Sequence, residues 1–290
     1  MNWLQKHMPK MVLAPSFMVI LLFVYGFIGW TAYISFTRSR LMPRYEIEGV
    51  IQFDRLFQSP RWDVAMSNLA VFSILFIGIS IFLGLLLAIL LDQKIRTEGA
   101  LRTIYLYPMA LSFIVTGTAW KWILNPGLGI ESVIQDMGWE SFEFDWLTDP
   151  DMAIYTVVLA GVWQASGFVM ALFLAGLRSV DQEIIRAAVV DGVPTPRIYR
   201  SIIIPAMAPI FMSAFIVLSH LAVKSFDLVV ALTGGGPGYA TDLPATYMYA
   251  MAFSRGDLGQ AASSATVMMM VVVAIIVPYL YSELRSRRDG

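Results

Sequence analysis

Long apolar runs alternate with short polar segments along this chain, and the position of charge marks where each run begins and ends. Residues 11–36, 64–91, 152–177 and 258–282 contain no Asp, Glu, Lys or Arg. Each reaches the roughly 20 apolar residues needed to cross the hydrocarbon core as a helix, the form in which the backbone satisfies its own hydrogen bonds. Two further runs are weaker. Residues 103–124 reach Lys121 before "WILNPG" ends them, and residues 201–230 hold His220, Lys224 and Asp227. The pattern predicts an all-α membrane protein of six transmembrane helices, a single transmembrane domain over residues 1–290. A polar loop at 179–205 joins the fourth and fifth helices.

Composition agrees. Of 290 residues 58% are hydrophobic and 14% charged, and the mean hydropathy is +0.68, outside the range of soluble domains. A formal net charge of −1 gives no reason to expect nucleic acid, and with no cysteine and two histidines a metal or disulfide framework is not expected. No G-x-x-x-x-G-K-[ST] phosphate loop occurs, so no cofactor is expected in this chain and nucleotide chemistry falls to another one. Lys6 and Lys10 precede the first run as in a signal peptide, but the run is too long and lacks a small-residue cleavage site, so it reads as a retained first helix.

Lys and Arg number 12 in the N-terminus, residues 92–103, residues 178–204 and the tail, against 6 on the opposite side. Both termini are therefore expected in the cytoplasm. Arg38, Arg40 and Arg44 in loop 37–63 dissent from that count. On the same far side, loops 37–63 and 125–150 and segment 231–257, rich in aromatics, glycine and proline, read as ordered surface.

The loop "SVDQEIIRAAVVDGVPTPRIYRSIIIP" carries its own punctuation. Ser179 with Gln182 resembles a capping box, and Asp191-Gly192 a helix stop. Thr195 reads as the cap of a second helix with Pro196 in its first turn. A first helix of roughly 12 residues is predicted, about 18 Å long. Ile185, Ala188, Val189 and Gly192 would form a narrow face suited to a groove on a partner. The plainer reading is a surface loop that packs on its own membrane domain.

"AAVVDGV…IIIP", at Ala187, Ala188, Asp191, Gly192, Ile202 and Pro205, resembles the cytoplasmic loop of membrane subunits in bacterial binding-protein-dependent ABC importers. "RTIYLYPMALSFIVTGTAWKWILNPGLG" and "LTGGGPGYATDLPATYMYAMAF" extend the likeness to the sugar-permease branch, of the maltose-type carbohydrate class, nearest to glucose/mannose and α-glucoside permease subunits. The resemblance implies a chain in the inner membrane that catalyses no covalent change. Its implied partners are a second homologous permease, an ATPase dimer that binds ATP and Mg, a periplasmic sugar-binding protein and a sugar. It also implies that 179–205 docks on the ATPase and carries its closure to the membrane helices. Arg186 departs from the family, which usually has glutamate there, so that carboxylate contact does not transfer.

Inside the spans, Lys224 and Asp227 are spaced i, i+3, and read either as a self-neutralised pair or, with His220 one turn below, as a polar strip lining a translocation path. Trp163 and Gln164 at mid-span and Asn125 after "WKWIL" are further candidates for sugar contact. Trp120 and Trp122 suit the interfacial belt, Met268–Met270 suit packing or lipid, and Ala261–Ser264 suit close helix approach. An ion-coupled secondary transporter is the competing class. It needs a mid-membrane carboxylate or a broken helix for its coupling ion, and the sequence offers only Asp227, which Lys224 would tend to neutralise, and no clear inverted-repeat pair of interrupted helices. A membrane hydrolase would need paired histidines or carboxylates in the spans, which are missing.

Overall fold

The protein is described by a computed structural model that covers residues 3–93 and 96–289. Lys94, counted above among the cytoplasmic charges, lies outside these. Among the described residues every element is helical, apart from one antiparallel bridge between Thr37 and Ile47.

In chain order, α1 (Trp3–Ile20) passes through a π-helical turn at Leu21–Tyr25 into α2 (Gly26–Ile34). Then come α3 (Ile51–Phe57), α4 (Pro60–Asp92), α5 (Glu98–Leu106) with a tight turn at Tyr107–Ala110, α6 (Phe113–Ile123) and α7 (Ile130–Asp136). The second half comprises α8 (Ala153–Ser179), α9 (Gln182–Val190), α10 (Thr195–Ile198), a π-helical turn at Tyr199–Ile203 and α11 (Ile204–Ala206). It ends with α12 (Ala208–Val223), α13 (Asp227–Leu232), α14 (Pro244–Tyr249), a π-helical turn at Ala250–Ser254 and α15 (Leu258–Asp289).

Among the described residues, four helical stretches are long and apolar enough to cross a membrane unaided: Lys10–Ile34, Pro60–Asp92, Ala153–Ser179 and Leu258–Tyr279. These match four of the uncharged runs. The other two runs are broken. Glu98–Ala110 and Phe113–Ile123 meet at 101°, and Thr195–Ala206 and Ala208–Val223 at 66°, so runs three and five, expected as single helices, are bent pairs.

Each break has a local cause. At the first, Pro108 sits in a 3₁₀ turn, Leu111 is extended (ψ 146°), and Ser112 starts α6 by accepting a bond from the Val115 N–H at 3.3 Å. At the second, Pro205 and Pro209 flank Met207, and a proline at 209 has no N–H to bond back to residue 205. The fifth run breaks once more, because α12 ends at Val223 and α13 starts at Asp227. Lys224 and Asp227 are therefore not neighbours on one continuous helix, as their i, i+3 spacing had suggested.

The chain divides into two compact units. One comprises residues 1–62 with 247–270, where Trp62 packs edge-on against Tyr247 with ring centroids 5.2 Å apart. The other comprises residues 63–246 with 271–290 and holds a continuous apolar core in which α8 is central. Val157, Ala160, Val169, Met170 and Phe173 of α8 are buried there. The 233–242 segment of this unit is knit by its own polar groups. Thr233 and Thr241 hydroxyls lie 2.6 Å apart, Thr246 donates to Asp242 Oδ1 at 2.9 Å, and Asn68 from α4 donates to the carbonyls of Ala240 and Asp242 at 2.9 and 3.0 Å.

Candidate functional site

Two regions of the larger unit carry the residues singled out from sequence. The first is the polar loop. Ser179 closes α8 instead of opening the next helix, with its hydroxyl donating back to the Gly176 carbonyl at 2.7 Å. Val180 is extended, and Asp181 caps α9 by accepting from the Glu183 N–H at 2.8 Å. A carboxylate at that end also suits the helix dipole. The capping-box assignment to Ser179 is thus corrected to Asp181, and the helix has 9 residues rather than roughly 12.

The stop lies where the sequence placed it. Gly192 has φ +76°, its N–H donates to Val189 at 3.0 Å, and the Val193 N–H donates to Ala188 at 3.0 Å. This pair of bonds is a Schellman closure, which needs a left-handed residue at that position. In α10, Thr195 lies inside the helix and Pro194 precedes it without a side-chain cap, so Thr195 is not the cap either.

The orientation of α9 differs from the expected face. Ala188 is buried, Ile185 half-buried, and both pack with Ile198 and Ile203 into the unit's own core. Ile184, Val189 and Val190 are exposed, as are Arg186, Ala187 and Asp191. Part of the proposed partner face therefore belongs to the chain's interior. Val189 and Gly192 of that face remain exposed. Arg178, in the last turn of α8, ion-pairs with Glu98 at 2.6 Å and Asp92 at 3.5 Å, tying the start of α5 and the end of α4 to the end of α8.

The second region is a cavity of about 470 Å³ at the break of the third run. Leu111, Ser112, Phe113, Gln164, Phe168 and Asp227 are among its lining residues. Gln164 is 5% exposed, and its Nε2 donates to the Leu111 carbonyl at 2.7 Å while its Oε1 has no protein partner. A break in a membrane helix frees backbone groups that neighbours must satisfy, and Gln164 does so here. Gly167, one turn on, lets this happen: a Cβ there would stand 1.9 Å from the Tyr105 carbonyl oxygen.

The structure brings Gln164 and Asp227 to one cavity, and Asp227 and Lys224 to a smaller adjoining one. His220, Trp163 and Asn125 line neither. Trp163 instead packs edge-on against Trp120, with centroids 5.9 Å apart. The peptide oxygen of Asn125 accepts from the Leu128 and Gly129 N–H groups at the end of α6. Asn68, the clamp on the 233–242 segment, drew no attention in sequence, since a lone asparagine in an apolar run gives no sign of which carbonyls it will meet.

Among the described residues, helices built from apolar runs, two of these runs bent, with a capped polar helix between the fourth and fifth runs, define a membrane protein. The family model for the binding-protein-dependent transport system inner membrane component matches residues 80–289. A probable ABC transporter permease protein of Pyrococcus horikoshii is 40% identical over 93% of both chains. The xylose/arabinose import permease protein XacH of Haloferax volcanii is 37% identical over 93% of this chain and 86% of its own. In structure, the bacterial alginate ABC transporter in complex with an alginate pentasaccharide-bound periplasmic protein gives a TM-score of 0.82 at 20% identity, covering 99% of this chain and 96% of the other. The chain belongs to the family of binding-protein-dependent transport system inner membrane components. It is a multi-pass ABC permease subunit. Two bent helix pairs do occur, in a chain of this family.

Proposed function

We propose that this chain is the permease subunit of an ATP-driven sugar importer, forming half of the translocation pathway with a second, homologous permease. The sugar class is supported by the relatives, one an import permease for xylose and arabinose. The fold is shared with a permease captured with an alginate-loaded periplasmic protein. In this reading a solute-binding protein delivers the sugar, and the partner ATPase binds ATP and Mg while this chain holds no nucleotide site. Six spans, counting each bent pair once, would put both termini on one side, and the excess of Lys and Arg in the loops on that side supports the cytoplasm.

The observation that carries the reading is α9, a short helix stopped by a left-handed Gly192, with Ile184, Val189 and Val190 exposed beside Arg186, Ala187 and Asp191. Exposed apolar side chains on a polar, capped helix suit insertion into a partner's groove. Its buried side, at Ala188, joins Ile198 of α10 in the core that contains α8, and Pro205 follows at the bend into α12. Displacement of α9 by a closing ATPase would thus be passed to packed helices. In the membrane, Gln164 and Asp227 are the groups proposed to meet sugar hydroxyls, with Lys224 alongside. Gln164 Oε1 is an acceptor without a protein partner on a cavity wall, and a hydroxyl can donate to it.

Gly192→Pro tests the coupling role, because proline fixes φ near −65° and removes the N–H that closes α9. ATP-driven uptake in vesicles carrying the whole transporter is expected to fall at least tenfold, with ATPase subunits retained poorly on purification. Wild-type uptake and assembly in that variant would exclude the role.

A further inference from the structure

The dissenting arginines of loop 37–63 converge on one cavity in the smaller unit. Arg38, Arg40, Arg44 and Arg55 line a space of about 300 Å³ together with Gln52 and Asp257. Arg38 is paired with Glu48 at 2.6 Å, and the Asp257 carboxylate caps α15 by accepting from the Gln260 N–H at 3.1 Å. Arg40, Arg44 and Arg55 have no carboxylate partner among the described residues. The four guanidiniums against Asp257 and Glu48 leave a surplus of two positive charges.

Gln52 supplies an independent observation. It is 1% exposed, its Nε2 is fixed on the Thr37 carbonyl at 3.0 Å, and its Oε1 has no partner. A buried acceptor left open in a basic cavity asks for a ligand that also carries a donor. The cavity thus presents guanidiniums for an anion and one acceptor for a hydroxyl.

Its place in the chain narrows the ligand further. Arg38 follows the end of α2 at Ile34 by one turn, and Asp257 immediately precedes α15 at Leu258. The cavity therefore sits beside the ends of two apolar helical stretches. Between Arg40 and Arg44 stand Leu41 and Met42, 84% and 80% exposed, and Trp30, Tyr33 and Tyr45 are also exposed nearby in sequence. Basic groups interleaved with exposed apolar and aromatic side chains match a membrane interface, where aromatics settle and arginines meet phosphates.

The geometry points to a binding site for an anionic phospholipid headgroup. Its phosphate is held by Arg40, Arg44 and Arg55, and a headgroup hydroxyl donates to Gln52 Oε1. The same chemistry, a phosphate ester bearing a hydroxyl, is available from soluble glycerol phosphate, and the experiment separates the two.

The whole transporter is reconstituted in phosphatidylcholine nanodiscs containing a minor fraction of phosphatidylglycerol, and lipid retained after extraction is counted by mass spectrometry. Wild type is expected to retain phosphatidylglycerol in excess of its share. The R40Q/R44Q/R55Q variant should hold it on the order of a hundredfold more weakly, at roughly fivefold per basic group near an anionic surface. These side chains are exposed, so the variant is expected to fold. If it does not assemble, Arg44→Gln alone gives the same test at about fivefold. Equal retention in wild type and variant overturns the site. Release of the retained lipid by millimolar glycerol phosphate overturns the lipid assignment in favour of a soluble phosphate ester. Unchanged retention with weakened capture of the solute-binding protein assigns the arginines to that protein's carboxylates instead.

Discussion

At the scale of single residues, the side chains that matter are those forced to satisfy a group the backbone leaves open. Gln164 is one of them. Truncating it to leucine leaves the Leu111 carbonyl without its donor in a buried setting, a loss of about 1–3 kcal/mol. Gln164→Leu is accordingly expected to lower the melting temperature of the purified transporter and to raise KM for uptake. An unchanged melting temperature would mean that the 2.7 Å bond does not hold the break together. That a mid-span glutamine has a reason was legible from its apolar surroundings alone. Which carbonyl it serves was not, because Leu111 is 53 positions away and is freed only by a bend. Gly192 is the opposite case, since its left-handed φ is a local property that the Asp-Gly pair signals without help from the fold.

At the scale of elements, four apolar runs form helices long enough to cross a membrane, and the two read as single helices with charges in them are bent pairs. Prolines 108, 205 and 209 were visible, but a proline only permits a kink. The 101° and 66° bends also need neighbouring groups that accept the freed backbone. The same holds for segment 233–242, whose turns rest on Asn68 of another helix. Asn68→Ala removes two donations, at 2.9 and 3.0 Å. It is expected to speed hydrogen exchange of amides in 233–243 at least tenfold while α8, in the core, keeps its protection. Unaltered exchange in that segment would show that its internal threonine bonds suffice. The start of α9 was misassigned for a comparable reason. Ser179 and Asp181 are both good caps, and the length of α8 decides which one is free to act.

At the scale of the whole molecule, the functional reading makes one demand that no single residue tests. Vesicles holding the complete transporter and its binding protein should accumulate sugar when ATP is supplied to the ATPase side. They should show no accumulation from a proton or sodium gradient alone. Gradient-driven uptake by this chain without an ATPase would return the interrupted helices to the ion-coupled class. The sequence by itself determined the membrane class, the number of apolar runs, the stop at Gly192 and the family pattern around it. All of these depend on composition or on contacts within a few residues. Only the tertiary structure decided which face of α9 is turned inward, where runs three and five break, and that Gln164 meets Asp227 at one cavity while Trp163, His220 and Asn125 do not. It also gathered Arg38, Arg40, Arg44 and Arg55 around Gln52. Those outcomes follow from packing between helices distant in sequence, where a bend or a rotation about a helix axis changes every neighbour without changing a single local signal.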